Sequence, residues 1–255
     1  MVSYYRDHYG GERHKKGQII NANVNRVALK RLINLSSIRN LLDVGTGYGF
    51  LLSVLQSLEG LSCRGVELSE QQAGFAVDEL GLDVCAKTLD QANIEHESFD
   101  LVTCFEVLEH IPSPLPFVKE LADHVCPGGK LVIMTDNFDS RVSRFLGSDF
   151  PKWIPHSHVS FFSPHSLRSL VDRIPCLRLI SFLSYTPWEL LVRSLFRSSS
   201  ASMMPQTLCD IEKEMHGAYR LFWMRRLINK LWFRFTASNK VDGAIMFALL
   251  EKKCR

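Results

Sequence analysis

Short apolar segments alternate with amphipathic segments between residues 41 and 136. Short apolar runs bounded by turn residues are typical of buried strands, and the amphipathic stretches between them are typical of helices. This alternation predicts an α/β fold with an open, mostly parallel sheet. We predict strands at 41–44, 62–67, 82–86, 99–105 and 130–135, and helices at about 49–58, 70–80 and 115–125.

The part of the chain after residue 136 predicts further elements of the same kind. A helix is expected to begin at Ser163-Pro164, because serine is a favoured N-cap residue and proline suits the first helical position. Apolar runs predict a sixth strand at 177–183 and a last strand at 243–250. Residues 187–240 then form a long insertion between these two strands.

A glycine-rich loop directly follows the first predicted strand, within the sequence LLDVGTGYGF. The glycines at 45, 47 and 49 are spaced too closely for the GxGxxG pattern of nicotinamide-binding proteins. Such a loop brings the backbone close to a ligand. Glu67 ends the next strand about 20 residues later, where an acidic side chain can accept hydrogen bonds from ribose hydroxyls. The two features together predict a nucleoside-containing cofactor.

These segments resemble the class I S-adenosylmethionine-dependent methyltransferases, in particular the group of small-molecule, glycan and ubiquinone-pathway O-methyltransferases. The resemblance covers roughly residues 41–183 and also rests on VELS at 66–69, FDLVTCFEVLEHIPSP at 99–114 and VCPGGKLVIMT at 125–135. It implies a Rossmann-like, doubly wound sheet of seven strands whose last strand is antiparallel. It also implies a helical lid at 1–40, a cofactor-binding core at 41–184, a helical insertion at 185–240 and the final strand within 241–255.

The resemblance further implies S-adenosylmethionine as the cofactor and assigns residues to it. The glycine loop meets the methionine part, the acid after the second strand meets the ribose, and residues after the third strand meet the adenine. Relatives often carry aspartate where Thr88 stands, so the adenine contact falls to backbone or to Asp90. The implied cofactor residues are Asp43, Gly45, Thr46, Gly47, Gly49, Glu67, Leu68, Thr88, Leu89 and Asp90, with Cys104 and Glu106 at the end of the fourth strand.

The acceptor side is expected to supply a base. An aliphatic hydroxyl is a poor nucleophile until its proton leaves, and imidazole titrates close to neutral pH. Loops after the fifth strand cover the methyl group in the family, and this loop contains two histidines. We therefore expect His158, which leads into HVSFFSPHSL, to be the catalytic base, with His156 as the second candidate.

A divalent cation is the alternative way to activate the acceptor. Glu106, Glu109 and His110 offer two carboxylates and one imidazole within five residues at the end of the fourth strand. The ubiquinone-pathway enzymes that the chain resembles are associated with such metal use. Similar runs also order the loop beside the cofactor in relatives without a metal, and we assign no metal to this chain.

Charge is distributed unevenly along the chain. Residues 41–140 carry four Lys and Arg against seventeen Asp and Glu, whereas residues 1–40 and 141–255 are both basic. The flanks are expected either to fold back over the acidic centre or to present a cationic surface to an anionic partner.

Residues 219–235 form the most basic and aromatic segment outside the predicted core. At 100° per residue, one face of the predicted helix collects apolar side chains, and the other collects three cations among aromatic residues. The residues of this basic and aromatic face are Arg226, Lys230 and Arg234 with Tyr219, Phe222, Trp223 and Phe233. We expect the basic and aromatic face to meet something apolar and anionic, either an anionic membrane surface or a lipid-linked acceptor. Packing against the N-terminal lid or in a homodimer stays open. The apolar face holds Leu221, Met224, Ile228, Leu231, Trp232 and Phe235.

Composition argues against a membrane-spanning protein and against a disulfide or zinc-cysteine scaffold. No apolar stretch approaches the roughly 18–20 residues of a membrane span, and seven cysteines without a CxxC pair argue against structural disulfides or a cysteine zinc site. We expect a cytoplasmic O-methyltransferase acting on a small hydroxylated acceptor, which could be a sugar or glycan precursor, a natural product or a quinone-like phenol. A catalytically inactive binding protein with this fold is the alternative. Nucleic-acid methylation is less favoured, and no nucleic-acid partner is expected.

Overall fold

The computed structural model describes residues 12–154, 157–195 and 222–254, in which strands and helices alternate. In chain order the elements are α1 (Glu12–Leu32), β1 (Asn40–Val44), α2 (Phe50–Glu59), β2 (Ser62–Val66), α3 (Glu70–Asp78), β3 (Asp83–Cys85), β4 (Phe99–Phe105), α4 (Pro114–His124), β5 (Val125–Asp136), α5 (Arg141–Leu146), α6 (Pro164–Asp172), β6 (Leu177–Tyr185), α7 (Trp188–Leu195), α8 (Phe222–Thr236) and β7 (Ile245–Lys252). Three short 3-10 turns lie at Leu35–Ser37, Leu108–His110 and Gly147–Asp149.

The seven strands form one sheet in the order β3-β2-β1-β4-β5-β7-β6. The first five strands are parallel, and β7 lies antiparallel between β5 and β6. This order confirms the predicted Rossmann-like sheet with an antiparallel last strand. Because the strand order reverses between β1 and β4, their carboxyl ends open a crevice in which ligands bind in sheets of this kind.

Successive residues of the buried strands point to opposite faces of the sheet, and each face has its own core. Leu42 and Val102 belong to the core under α4 and α6, whereas Leu41 and Leu101 belong to the core under α2. Both pairs are fully buried. Strands that are covered on both faces read as continuous apolar runs, which is why their sequences predict them well.

The fifth strand begins earlier than predicted, at Val125 and not at residue 130. Val125 already pairs with Phe99, and the register then shifts before Leu101 pairs with Lys130. Gly128 has a φ of 78°, and the strand accommodates residues 127–129 as an irregularity. The α6 helix begins as predicted, with Ser163 as its N-cap in a capping box.

The predicted helix at 219–235 is found as α8, although residues 219–221 lie outside the described residues. The expectation for its faces was wrong. Phe233, placed on the outward basic and aromatic face, is fully buried, and its ring packs on the Tyr185 ring with centroids 4.8 Å apart. The predicted apolar face is largely exposed. A large aromatic ring gains most from burial, so it sets which side of the helix faces the sheet.

The basic flanks fold back onto the acidic centre at several points. Arg26 and Lys30 of α1 both bind Glu59 at the end of α2, with Nζ of Lys30 3.1 Å from its carboxylate. Lys252 pairs with Glu97 at 3.1 Å. These contacts correspond to the first of the two expected roles for the flanks.

No helix within the described ranges is long and apolar enough to cross a bilayer. All six cysteines in this part of the chain are free thiols.

Candidate functional site

A cavity of about 610 Å³ opens at the carboxyl ends of β1, β2 and β4. Its volume lies within the range of small-molecule sites. The N-terminal helix α1 forms one wall, the glycine loop and the end of β2 form the floor, and the segment that contains His158 lies on the acceptor side. The cavity is therefore where the parallel-sheet geometry places a ligand.

The glycine loop has a backbone conformation that only glycine adopts easily. Gly45 and Gly47 have φ angles of 79° and 60°. A Cβ at Gly45 would overlap Val107, and one at Gly47 would overlap the side chain of Gln18. The missing side chains leave the backbone of this loop exposed to the cavity.

Backbone N–H groups of the loop are bound by side chains that line the cavity. Gly47 N–H donates to Glu67 Oε2 at 2.8 Å, and Ser69 N–H donates to Glu67 Oε1 at 2.9 Å. Tyr48 N–H donates to Gln18 Oε1 at 2.8 Å. Glu67 is thus held against the loop, and burial raises the pKa of its carboxyl although these hydrogen bonds oppose the rise.

Asp43 lies under the loop, at the carboxyl end of β1. Its side chain is buried and accepts a hydrogen bond of 2.6 Å from Thr103 Oγ1. Burial raises the pKa of this carboxyl from 3.8 to about 6. At neutral pH the protein therefore carries a buried carboxylate beside the cavity, which is unfavourable for folding and useful for a cationic ligand group.

We expect the Asp43→Asn variant to remove this pH-dependent cost. The folded state binds the proton of Asp43 more tightly than the unfolded state does. Protonation of Asp43 therefore stabilises the folded protein fully below pH 3.8, and this stabilisation is lost as the pH rises through 6. Over that window the unfolding free energy of the wild type should fall relative to the variant by about 3 kcal/mol. Urea unfolding of both proteins without added ligand, over this pH range, measures the difference. Parallel curves would show that Asp43 ionises in the folded state without penalty.

The far end of the cavity carries the residues predicted to meet adenine. Thr88, Leu89 and Asp90 all line it, together with Lys87. The hydroxyl of Thr88 is buried and has no hydrogen-bond partner among the described residues. A buried polar atom without a partner is uncommon, so this hydroxyl is suited to a hydrogen bond with a ligand.

His158 lies on the acceptor side of the cavity, with 7% of its side chain exposed. Its Nδ1 is 3.1 Å from the carbonyl oxygen of Lys152. Because a carbonyl only accepts, Nδ1 carries the proton and Nε2 is the basic nitrogen of the neutral ring. The carboxylate of Asp136 is 3.7 Å from Nδ1. The ring is therefore oriented as a base with an anion behind it.

His110 is the second histidine of this wall, and its ring centroid lies 4.9 Å from that of His158. Its Nδ1 is 2.9 Å from the carbonyl oxygen of Ser157, so it too is protonated at Nδ1. Burial lowers the pKa of His110. Of the two rings, His158 has the closer carboxylate and is the better placed base.

Four ionisable side chains surround these histidines. Lys152 Nζ lies 3.2 Å from Asp136 and 3.8 Å from Glu106. The two carboxylates raise the pKa of Lys152, and burial raises the pKa of Asp136. Glu109 is buried, accepts a hydrogen bond from Thr135 Oγ1 at 2.9 Å and has a pKa raised by burial and by the charge of Asp136. Glu106 has a φ of 56°, a strained conformation at the edge of the cavity.

The candidate metal ligands are only partly brought together. Ligand atoms of Glu109, His110 and His158 all lie within 4.8 Å of one another, whereas Glu106 is not part of this group. The predicted Glu106, Glu109 and His110 set therefore differs from the one that the structure gathers, because Glu106 turns toward Lys152.

Most of the predicted cofactor residues line the cavity, and two do not. Gly49 lies at the N-cap of α2, where it packs against Ala76 and Leu82. Cys104 is fully buried in the core of the sheet. His156 lies outside the described residues. The residues that do line the cavity are Asp43, Gly45, Thr46, Gly47, Glu67, Leu68, Thr88, Leu89, Asp90 and Glu106, together with the base candidate His158.

Several residues of the site were not identified from the sequence. Gln18, Asn21 and Asn25 line the cavity from α1. Their spacing of three and four residues puts three amides on one helix face. This spacing is the sequence signal that could have identified them as site residues. Lys152 and Asp136 were missed because their partners are distant in sequence.

The family model described as "Methyltransferase domain" matches residues 12–174. A ubiquinone biosynthesis O-methyltransferase from Photobacterium profundum is 32% identical over 162 residues, which are 58% of this chain and 68% of the relative.

Solved structures show the same fold at lower identity. A SAM-dependent methyltransferase from Thermotoga maritima has a TM-score of 0.64 and 17% identity, covering 99% of this chain and all of the other. A phosphoethanolamine N-methyltransferase from Haemonchus contortus, solved with S-adenosylhomocysteine, has a TM-score of 0.61 and 16% identity, covering 98% of this chain and 60% of the other.

Proposed function

Since the chain belongs to the methyltransferase domain family, we propose that it transfers a methyl group from S-adenosylmethionine to a hydroxyl oxygen of a small acceptor. The family match confirms the resemblance inferred from the sequence, and S-adenosylmethionine is the cofactor that the family and fold support. The choice of oxygen as the methylated atom and the class of acceptor are the new parts of the proposal.

One observation carries the proposal: a single cavity is bounded by the glycine loop with Glu67 on one side and by His158 on the other. A cofactor site and a base therefore share one space. Methyl transfer depends mainly on placing a nucleophile in line with the methyl group, so this arrangement supplies what the reaction requires.

The described residues fit S-adenosylmethionine. Gly45 and Gly47 line the cavity, and a Cβ at either position would overlap Val107 or Gln18. Glu67 has two carboxylate oxygens at the end of β2, and Thr88 has a buried hydroxyl without a partner in the described structure. When bound, the cofactor would supply a methyl group on a positively charged sulfur, and the buried Asp43 carboxylate under the loop favours a cationic ligand.

In the proposed mechanism His158 accepts the proton of the acceptor hydroxyl at Nε2. Nδ1–H stays on the carbonyl oxygen of Lys152, which keeps the ring in one orientation. As the ring becomes cationic, Asp136 at 3.7 Å stabilises the charge. Lys152 keeps Asp136 ionised at neutral pH. His158 is thus the proposed catalytic base, and Asp136 is a positioning residue.

Among hydroxylated acceptors, a quinone-like phenol is favoured over a sugar or glycan precursor. The relative from Photobacterium profundum is named for ubiquinone biosynthesis and O-methylation. The apolar side chains Phe105, Ile111 and Ile154 line the same cavity, and Ile154 is next to His158 through a 2.7 Å backbone hydrogen bond. An aromatic ring is the acceptor that such a lining accommodates best.

The test is methyl transfer from labelled S-adenosylmethionine to a panel that holds catechols, simple sugars and primary amines. We expect transfer to oxygen, fastest with catechols, and none to amines. Transfer to amines alone would contradict O-methylation. Binding of the cofactor without transfer to any member of a broad hydroxyl panel would favour the catalytically inactive alternative.

A further inference from the structure

The outer side of α8 carries an exposed apolar stripe made of Met224, Leu227, Ile228, Leu231 and Phe235. Between 43% and 80% of each of these residues is exposed, with Phe235 the most exposed. Their spacing of three, four, seven and eleven residues places them on one face of the helix over about 17 Å. Scattered apolar residues are normal on a protein surface, but a contiguous stripe of five marks an interaction site.

The opposite side of α8 is fixed to the body of the protein, so the stripe cannot turn inward. Phe233 is fully buried against the sheet. Arg226 Nη2 donates to Asn23 Oδ1 of α1 at 3.1 Å, and Trp232 Nε1 donates to the carbonyl oxygen of Thr186 at 2.8 Å. These contacts hold the helix from its start to its end with the stripe outward.

Two cations lie along one edge of the stripe. Lys230 and Arg234 are exposed, one helical turn apart, and neither pairs with a carboxylate in the described part of the chain. The sequence of α8 contains no aspartate or glutamate. An apolar stripe bordered by exposed cations complements a surface that is apolar in its interior and anionic at its edge.

A second copy of this chain fits the stripe less well. In a two-fold dimer the same surface faces itself, and when the two α8 helices run antiparallel, Lys230 and Arg234 of both copies lie along one seam. Neither copy of α8 has a carboxylate to pair with them, and like charges brought together in this way oppose association.

From these contacts and charges we propose that α8 docks the protein on an anionic lipid surface, with the stripe inserted at the interface and Lys230 and Arg234 against the lipid headgroups. The helix would lie in the plane of the surface and not cross it. Because α8 packs on α1, and α1 forms a wall of the cavity, docking would place the site close to the lipid surface. The inference concerns a surface outside the cavity and does not depend on which acceptor is methylated.

The test is co-sedimentation of the full chain with vesicles of phosphatidylcholine alone or mixed with phosphatidylglycerol, at low and high salt. We expect binding to the anionic vesicles at low salt and much weaker binding at high salt. The Lys230→Gln/Arg234→Gln variant should bind about 25-fold more weakly, at roughly fivefold per cation. The Leu227→Gln/Leu231→Gln variant should lose at least tenfold on every vesicle that the wild type binds.

Leu58→Gln is the matched control, because Leu58 is also an exposed leucine, at 61%, on the separate helix α2. It should bind like the wild type, and thermal melts should show that all variants are folded. Equal binding of wild type and stripe variant would overturn the proposal, and so would equal binding to neutral and anionic vesicles. A dimer in sedimentation velocity that the stripe variant abolishes, with no vesicle binding, would assign the stripe to self-association and contradict lipid docking.

Discussion

Replacing His158 by alanine is expected to lower kcat by roughly 10²–10⁴-fold when the acceptor is an aliphatic hydroxyl. The variant removes the ring nitrogen that accepts the proton, while the glycine loop and Glu67 on the other side of the cavity stay in place. The affinity for S-adenosylmethionine should therefore change little. Single-turnover transfer together with calorimetric binding separates these two quantities.

The acidity of the acceptor provides an internal control for the same variant. A phenol is acidic enough to form some of its nucleophilic anion without a base. In His158→Ala, kcat with a phenol should therefore fall much less than kcat with an aliphatic alcohol. The Asp136→Asn variant should lower kcat less than His158→Ala and should move the acidic limb of the pH profile to lower pH, because Asp136 stabilises the charged ring. A purely structural role for Asp136 would change stability and leave the pH profile in place.

Chelation distinguishes the protein base from a metal. Glu109, His110 and His158 could hold a cation, and a cation there would occupy the same ring nitrogen that serves as base. We expect turnover to survive EDTA. If EDTA abolishes turnover and Mg²⁺ restores it, the base assignment of His158 is wrong and the group acts as a metal site.

The strands could be predicted because strands that are buried on both faces have mostly apolar sequences. LLDV, FDLVTCF and KLVIMT are mostly apolar, and each lies in a strand covered on both faces. The early start of β5 could not be predicted in this way. It depends on the pairing of Val125 with Phe99, which is a contact between distant residues and leaves no periodic signal.

The buried side of α8 could not be predicted from the pattern of apolar residues. Both sides of this helix carry large apolar or aromatic residues, so its periodicity does not say which side is buried. The sheet decides it, because Tyr185 and Phe247 offer aromatic surfaces that Phe233 fills. Sequence alone therefore predicted a helix with two distinct sides but placed Phe233 on the outward one.

The residues predicted for the cofactor side depend on local sequence signals, whereas the surroundings of the predicted base do not. Asp43, the glycine loop and Glu67 are set by local signals at the ends of two neighbouring strands. The environment of His158 is set by Lys152 and Asp136, which reach it from a loop and from the end of β5. Gln18 illustrates the same point, since its role follows from where α1 docks and not from its own neighbours in sequence.

Replacing Glu67 by alanine is expected to weaken binding of both S-adenosylmethionine and S-adenosylhomocysteine by about 1–3 kcal/mol, or roughly 5- to 150-fold. The two ligands share the ribose that Glu67 is proposed to bind, so their losses should be equal. The variant also frees the N–H groups of Gly47 and Ser69, which loosens the loop itself. Isothermal titration calorimetry with each ligand measures both losses.

The Glu67→Gln variant separates charge from shape, because it keeps the size of the side chain. Each oxygen of Glu67 accepts one backbone N–H, so an amide must present its NH₂ group to one of these donors and lose that bond. It should therefore bind the ligands more weakly than the wild type, with Glu70→Gln as the control, since Glu70 is exposed and does not line the cavity. Unchanged affinity in both Glu67 variants would remove Glu67 from the cofactor site. A wild-type protein that binds NAD but neither methyl-cycle ligand would contradict the assignment of the whole cavity, because the glycine spacing at 45, 47 and 49 is what argued against a dinucleotide.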